Sequence, residues 1–447
     1  MGFTVEQQTA IDSKGKVIVS ASAGSGKTTV MIEKIIQIIL GDTAVSDILA
    51  VTFTKKAASQ MKDKLKREII KAINADGVSA EKRKVLKDQL SLVASADIST
   101  IHSFCAKLIR SHFFDAGVSG DFKIIAGDDA DGIALKNRAL DKVFEEAFDE
   151  DRSGDFFKLL SAYWRKKSDK TLREIFLKMY ASVRDRFDYR ELLWRSGDYT
   201  EQDFEEICKG LQALLKEKCE YYASIVDEYE YYFKNNDGAK SAEFAKELKD
   251  GFLEIAYAPD YFTAIKTQKR SPSKERVGKR SEEYIQKVNE LVALRDEKYY
   301  ALFKDFEKLG TLNEEKQAFL ASGELARALA KYILKFDEEY TALKRERNLL
   351  DYNDLEHLSL SLLSDPKILE EIRGRYTHVF VDAYQDVNPV QEKLLSLIGN
   401  ENVFLVGDVK QAIYGFRGSK SKYFGEKQSE FSENSHFPID YSLFFVL

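Results

Sequence analysis

Eight consecutive residues, Ala21-Ser22-Ala23-Gly24-Ser25-Gly26-Lys27-Thr28, set small side chains, two glycines, a lysine and a hydroxyl in the order that cradles phosphate. Gly24 and Gly26 let the backbone bend so that successive N–H groups point at phosphate oxygens. The helix that opens here adds the positive end of its dipole. Lys27 reaches the β- and γ-phosphates, Thr28 offers a hydroxyl to Mg²⁺, and Thr29 lies in the same first turn. Ala21 stands where the strict pattern has its first glycine. The competing reading, a glycine-rich turn with no ligand, is weakened by the strand before it and the helix after it.

A second constellation is Val379-Phe380-Val381-Asp382-Ala383-Tyr384-Gln385-Asp386, an apolar run ending in acids. Asp382 closes a strand and would hold Mg²⁺ through water, as phosphate-loop enzymes require. Such an ATPase follows that aspartate with a glutamate. Here the next residue is Ala383, and a methyl group can neither orient nor deprotonate a water.

The elements that position these residues follow from periodicity. Lys16–Val19, Ile48–Phe53 and Ala96–Thr100 read as short apolar strands, and Thr28–Leu40 and Thr54–Ile70 as helices between them. Strands alternating with helices predict an α/β fold with a parallel sheet. From about residue 120 to 345 the chain turns charged, aromatic and poor in proline. Phe204–Lys234 places apolar residues at helical spacing, and its aromatic stripes read as core. Strands resume at Tyr376–Asp382 and Asn402–Val406. The expected organisation is an ATPase domain over 1–118 and 346–430, interrupted by an all-helical insertion domain over 119–345, with a tail over 431–447.

The 447 residues, 44% of them apolar, can fill two or three cores. A net charge of -6 means that nucleic acid must be met by local basic surface. The loop from Ile265 to Arg280 holds seven Lys or Arg against one Glu; it is either a solvated loop or a contact to duplex phosphates. Three cysteines, Cys105, Cys208 and Cys219, are too few for a disulfide framework and are read as reduced thiols. No signal sequence precedes Phe3 and no apolar run is long enough to span a bilayer, so a cytoplasmic protein with no membrane partner is expected.

Further blocks occur in a fixed order around the phosphate loop. They are Phe3-Thr4-Val5-Glu6-Gln7-Gln8-Thr9-Ala10-Ile11, Thr52-Phe53-Thr54-Lys55-Lys56-Ala57-Ala58, Thr100-Ile101-His102-Ser103-Phe104, Leu350-Asp351-Tyr352-Asn353-Asp354-Leu355 and Gly407–Gly418. With them the chain resembles a UvrD/RecB-like superfamily 1 DNA helicase, and within that group the N-terminal part of the AddA-type subunit of the bacterial ATP-dependent helicase–nuclease. The resemblance implies a RecA-like domain, ATP and Mg²⁺ as cofactors, single-stranded and duplex DNA as partners, and an AddB-like nuclease subunit beside it. It implies 3′-to-5′ unwinding during double-strand break repair and recombination. By the match Gln7 would read the adenine edge, and Lys27, Asp382 and Gln411 would be the catalytic set. Gln411 would sense the γ-phosphate.

The same resemblance marks Phe53, Thr54, His102, Tyr414, Phe416 and Arg417 for DNA, with Phe104 open between stacking and core. Aromatics at strand ends suit base stacking that tolerates any sequence. His102 is open between a DNA contact and a buried, hydrogen-bonded histidine. Two departures stand out. Ala383 occupies the general-base position, whose loss typically costs on the order of 10²–10⁴ in rate. The sequence also runs out at Tyr441–Leu447, before any second motor domain, so a truncated tail and impaired hydrolysis are expected. The terminal apolar run is either a strand without its sheet or altered reading-frame sequence. The alternatives to a motor are a nucleotide-gated DNA-binding module without catalysis and a partner-docking subunit.

Overall fold

The computed structural model describes residues 3–20, 22, 24–41, 43–150, 154–163, 168–266, 280–302, 309–399, 401–412, 419, 422–433 and 444–446. By packing, the chain divides into two compact units, one of residues 1–193 with 331–447 and the other of residues 194–330.

The first unit opens with α1 (Val5–Asp12), β1 (Val17–Ser20), α2 (Lys27–Ile39), β2 (Ile48–Thr52), α3 (Lys55–Asn74), α4 (Ala80–Leu92), β3 (Asp97–Thr100), α5 (Ile101–Ser111) and β4 (Lys123–Ile124). Helices α6 (Ala130–Glu150), α7 (Asp155–Tyr163), α8 (Lys170–Arg184) and α9 (Tyr189–Trp194) follow. In the second unit lie α10 (Glu201–Lys234), α11 (Ala239–Ala256), α12 (Tyr261–Lys266) and α13 (Glu282–Leu294), and α14 (Leu312–Glu346) begins there. The chain then forms β5 (Leu349–Leu350), α15 (Tyr352–Leu363), α16 (Pro366–Arg375), β6 (His378–Asp382), α17 (Pro389–Ile398), β7 (Val403–Gly407), α18 (Lys422–Glu433) and β8 (Phe444–Val446).

Six strands form one sheet in the order β3-β2-β6-β7-β1-β8, and every pairing is parallel. Such a sheet is covered on both faces, and its strands read as near-continuous apolar runs. Alternate residues feed two cores. Ile18, Leu49, Val51, Val379, Val381 and Leu405 enter the core that α5, α15, α17 and α18 cover. Val17, Val19, Ile48, Ala50, Phe380, Phe404 and Val406 enter the core beneath α1, α2, α3 and α4. A one-residue slip in any of these strands would exchange the two sets.

Phe444–Val446 adds to the sheet edge beside β1, with Ile18 opposite Phe444. That corrects the expectation of a strand without a sheet, because the edge of β1 offers unpaired backbone groups that a short extended segment satisfies. A second, two-stranded sheet pairs β4 with β5 in parallel, Lys123 opposite Leu349.

Residues 119–193, expected within the helical insertion, pack with the α/β unit. In the unit of residues 194–330, the described residues form helices and loops. Helix α10 starts at a capping box in which Thr200 and Asp203 bond each other's backbone N–H groups. Its buried stripe of Leu215, Cys219, Ala223, Val226 and Phe233 meets Phe244, Leu248, Phe252 and Ile255 of α11. Of the basic loop, residues 267–279 lie outside the described residues; Arg280 donates to the Asp237 carbonyl at 2.9 Å. Among the described residues no helix is long and apolar enough to cross a membrane.

Candidate nucleotide site and adjoining groove

Five neighbouring strands of the sheet end on one side, and their carboxyl ends deliver the chemistry. Loops outside the carboxyl ends of parallel strands are where open α/β sheets bind ligands. After β1 the chain turns through Gly24 (φ +78°) and Gly26 (φ +89°) into α2. Both are left-handed, a conformation that glycine adopts without penalty. Gly26 is the N-cap of α2 and no side chain caps that helix. Its first-turn N–H groups are thus left for a ligand, and nothing stands within 4 Å of a Cβ placed on Gly24. The loop is internally tied, with Ser25 Oγ donating to the Ser22 carbonyl at 2.8 Å. An open helix N-terminus, glycine turns and a lysine fit a nucleotide's phosphates.

Helix α1 is fastened beside this loop. Gln7 Oε1 accepts the Thr4 N–H at 3.0 Å, closing a capping box, while its Nε2 donates to the Ser25 carbonyl at 2.9 Å. At the other end of α1, Lys34 of α2 donates to the carbonyls of Ile11, at 2.9 Å, and Ser13. Burial pushes the Lys34 ammonium down to about 8, against the pull of Asp12. Lys64 of α3 donates to Thr29 Oγ1 at 2.6 Å, holding the first turn of α2 from the far side.

Asp382 closes β6 opposite Val406 of β7, and Ser20 of β1 lies opposite Gly407. Strand β7 thereby stands between the strand of the phosphate loop and the strand of the aspartate. Burial raises the Asp382 carboxyl, and the Lys27 ammonium and the Ala383 N–H pull it back. Lys27 Nζ also donates to Gln411 Oε1 at 3.4 Å, and Gln411 Nε2 donates to Asp408 Oδ2. Gln385 Oε1 accepts the Asp408 N–H at 3.1 Å. A Cβ on Gly407 would stand 2.6 Å from that oxygen, so only glycine lets the two loops meet.

Ala383 is left-handed, at φ +65° and ψ +46°. A residue with a Cβ costs roughly 1–2 kcal/mol there. The turn is held by the Asp386 N–H donating to the Ala383 carbonyl at 3.0 Å. The methyl group lines a groove of about 490 Å³ that also takes in Phe53, His102, Tyr352, Asp382 and Gln391. His102 is ordered from below. Its Nε2 lies 2.9 Å from Glu356 Oε1, and its ring is 4.6 Å from that of Tyr352. Glu356 is 1% exposed and also accepts from Gln391 Nε2 at 2.6 Å and Asn388 Nδ2 at 3.0 Å. Burial alone would raise its carboxyl; the donors from His102, Asn388 and Gln391 outweigh burial and hold it below the usual range.

Residues 3–432 match the model of the UvrD/REP helicase N-terminal domain. The chain belongs to the UvrD/REP helicase family. Among its relatives are proteins named for the ATP-dependent helicase/nuclease, of which they form the AddA component. That of Lactobacillus acidophilus is 30% identical over 97% of this chain and 38% of its own length. That of Alkaliphilus metalliredigens is 32% identical over 96% and 36%, and that of a Thermoanaerobacter species 31% identical over 96% and 37%. The chain thus spans well under half the length of these relatives. The helicase family implies use of ATP and Mg²⁺ and contact with DNA.

Against the helicase motifs, Gln7, Gly24, Ser25, Gly26, Lys27, Asp382 and Gln411 gather at the sheet's carboxyl edge, with Thr28 and Thr29 in the first turn of α2. Ser22 is exposed in the same loop; Ala21 and Ala23 lie outside the described residues, as do Tyr414, Phe416 and Arg417. Phe53 and His102 share the groove. Thr54 is the N-cap of α3, its hydroxyl accepting the Ala57 N–H at 3.1 Å. Phe104 is core, buried edge-on to Tyr376 at 6.1 Å. Cys105 is buried beside it, its thiol pushed up to about 12. The sequence reading missed Glu356, Tyr352 and Lys64 as supports of the site. Asn388-x-x-Gln391 is a capping-box pattern, and a glutamate inside the apolar run of α15 was the available signal for Glu356.

Proposed function

We propose that this chain is the ATP- and DNA-binding motor domain of an AddA-type 3′-to-5′ DNA helicase, in which Ala383 separates nucleotide binding from hydrolysis. The carrying observation is the convergence of Lys27, Asp382 and Gln411 next to a methyl-lined groove. The N–H groups of the phosphate loop and Lys27 bind and orient the triphosphate, and Gln7 stands where an adenine edge would lie. Thr28 and Asp382 would hold Mg²⁺, which supplies charge to the β- and γ-phosphate oxygens. Gln411, already bonded to Lys27, exchanges that bond for one to the γ-phosphate and passes the change to Asp408 and the loop after it.

Phe53 and His102, with Tyr414, Phe416 and Arg417, take single-stranded DNA by stacking and charge. The basic loop from Ile265 to Arg280 meets duplex phosphates. An AddB-like nuclease is the expected partner, and double-strand break repair in the cytoplasm the setting. Ala383 favours a second reading, a nucleotide-gated DNA-binding module without catalysis.

The test is ATP turnover with single-stranded DNA in Ala383→Glu beside the parent. The parent should be slow, and the glutamate, at the groove wall, should raise turnover by roughly 10²–10⁴. Parent turnover near one per second would sink the claim of impairment. Lys27→Ala should abolish nucleotide binding in either reading.

A further inference from the structure

The turn after α5 holds a phenylalanine out in water. Phe114 is 86% exposed and Phe113 46%. The backbone beneath them is tied down: Ala116 N–H donates to the His112 carbonyl at 3.0 Å, Gly117 N–H to Phe114 at 3.1 Å and Val118 N–H to Phe113 at 3.1 Å. Gly117 closes the turn at φ +63°. Phe113 lies against Gly120, its ring 3.5 Å from the position of a Cβ there. Such a turn could have buried the Phe114 ring and gained the transfer energy of a large apolar side chain. It presents the ring instead.

The two rings wall an open pocket of about 680 Å³ together with Val118, Phe122, Arg345 and Leu349. Arg345 is exposed, and its guanidinium has no hydrogen bond or ion pair among the described residues. Arg347 is exposed two residues on, and Lys123 is exposed opposite Leu349. The acid in this wall, Asp121, is engaged by Ser119 and by Asn348 Nδ2 at 2.8 Å. This pocket and the His102 groove share one wall. Ile124 of β4 and Tyr352 face the groove, while Phe122, Leu349 and Leu350 face the pocket. Two or three extended residues separate the openings, roughly 10 Å.

We propose that single-stranded nucleic acid leaves the groove across β4 and β5 and continues onto this patch, with a base stacked on Phe114 and a phosphate on Arg345. A flat aromatic face accepts any base, and an arginine fork fits phosphate oxygens. The inference rests on the groove being the DNA track and extends that track by a second station.

Fluorescence anisotropy of the full 447-residue chain with oligothymidylates of increasing length tests it. Parent affinity should rise once as the groove fills and again when the strand reaches Phe114. Phe114→Ala should lose the second rise, weakening the longest oligonucleotide roughly five- to a hundredfold. Phe114→Trp should keep it, and Arg345→Ala should weaken long strands and flatten their salt dependence. The exposed ring makes a folding defect easy to recognise, since the melting midpoint of Phe114→Ala should match the parent. If Phe114→Ala, Phe114→Trp and the parent agree at every length, the proposal is overturned and the patch is left to a protein partner. If the parent binds no oligonucleotide of any length, the groove reading fails first and takes the extension with it.

Discussion

His357 carries the clearest pH signature of any single residue here. Its Nε2–H donates to the Arg184 carbonyl at 2.8 Å. Burial, and then the neighbouring Arg184 guanidinium, push its imidazolium down to about 4. An unfolded histidine takes a proton near 6.5, so between about 6.5 and 4 the unfolded chain binds more protons than the folded one. Stability therefore falls as pH drops through that window, by on the order of 3 kcal/mol for this group. Asp185, raised to about 6 mainly by burial, works in the opposite sense, so the comparison must be between variants. His357→Gln keeps a donor for the carbonyl and removes the titration. Its denaturation midpoint should change less than the parent's between pH 6.5 and 4, and equal slopes would refute the assignment. At Ala383 the structural surprise is conformational. The sequence marks an absent carboxylate, while the structure adds that whatever stands there must accept a left-handed backbone. Glutamate at this position carries the same backbone cost as alanine, so Ala383→Glu exchanges chemistry without adding strain.

Helix α15 is the element on which the site depends most. Its N-terminus is closed by a capping box between Asp351 and Asp354. Lys344 of α14, fully buried, donates to Asp351 Oδ2 at 2.7 Å and to Asp354. Arg184 of α8 reaches Asp354 at 3.0 Å, and Asp337 accepts from Tyr180 at 3.0 Å and Tyr189 at 2.8 Å. Lys344 and Arg184 overcome the effect of burial and keep Asp351 ionised. One turn further along, Glu356 holds His102 and the first turn of α17. Carboxylates and cations are matched here, so removing one member strands another. Lys344→Met should cost about 3–5 kcal/mol, read as a shift in the urea midpoint. A loss below about 1 kcal/mol would mean that the network is solvated in solution. The sequence shows α15 as an acidic block before an apolar run. It gives no hint that the block's partners are a lysine at the end of a 35-residue helix and an arginine about 170 residues earlier.

At the scale of the molecule, the unit of residues 194–330 has a core of its own. Phe233, Phe252, Val226 and Leu248 are fully buried among aromatic and aliphatic neighbours within it. The excised segment should be helical by circular dichroism and melt as one transition. A random-coil spectrum would show that its core needs the α/β unit. Net charge is -6, so DNA binding by the whole chain must come from local basic surface and weaken with salt.

The phosphate loop, the strand that carries Asp382 and the alternation of strand and helix were legible in the sequence. Each is a local pattern whose chemistry and periodicity act within a few residues. Helix and strand bounds shifted by only a few residues, as at β1, read as Lys16–Val19 and formed by Val17–Ser20. What the sequence could not supply are relations between distant positions. Glu356 and His102 are 254 residues apart, and only folding α15 against α5 gives that carboxylate a partner. Phe104 and His102 are two residues apart and share a helix, yet one faces the core and the other the groove. The sequence by itself determined which phosphate chemistry is present and which carboxylate is missing. The tertiary structure decided which side chains meet, because burial and hydrogen-bond partners are set by the sheet order and the helices laid across it.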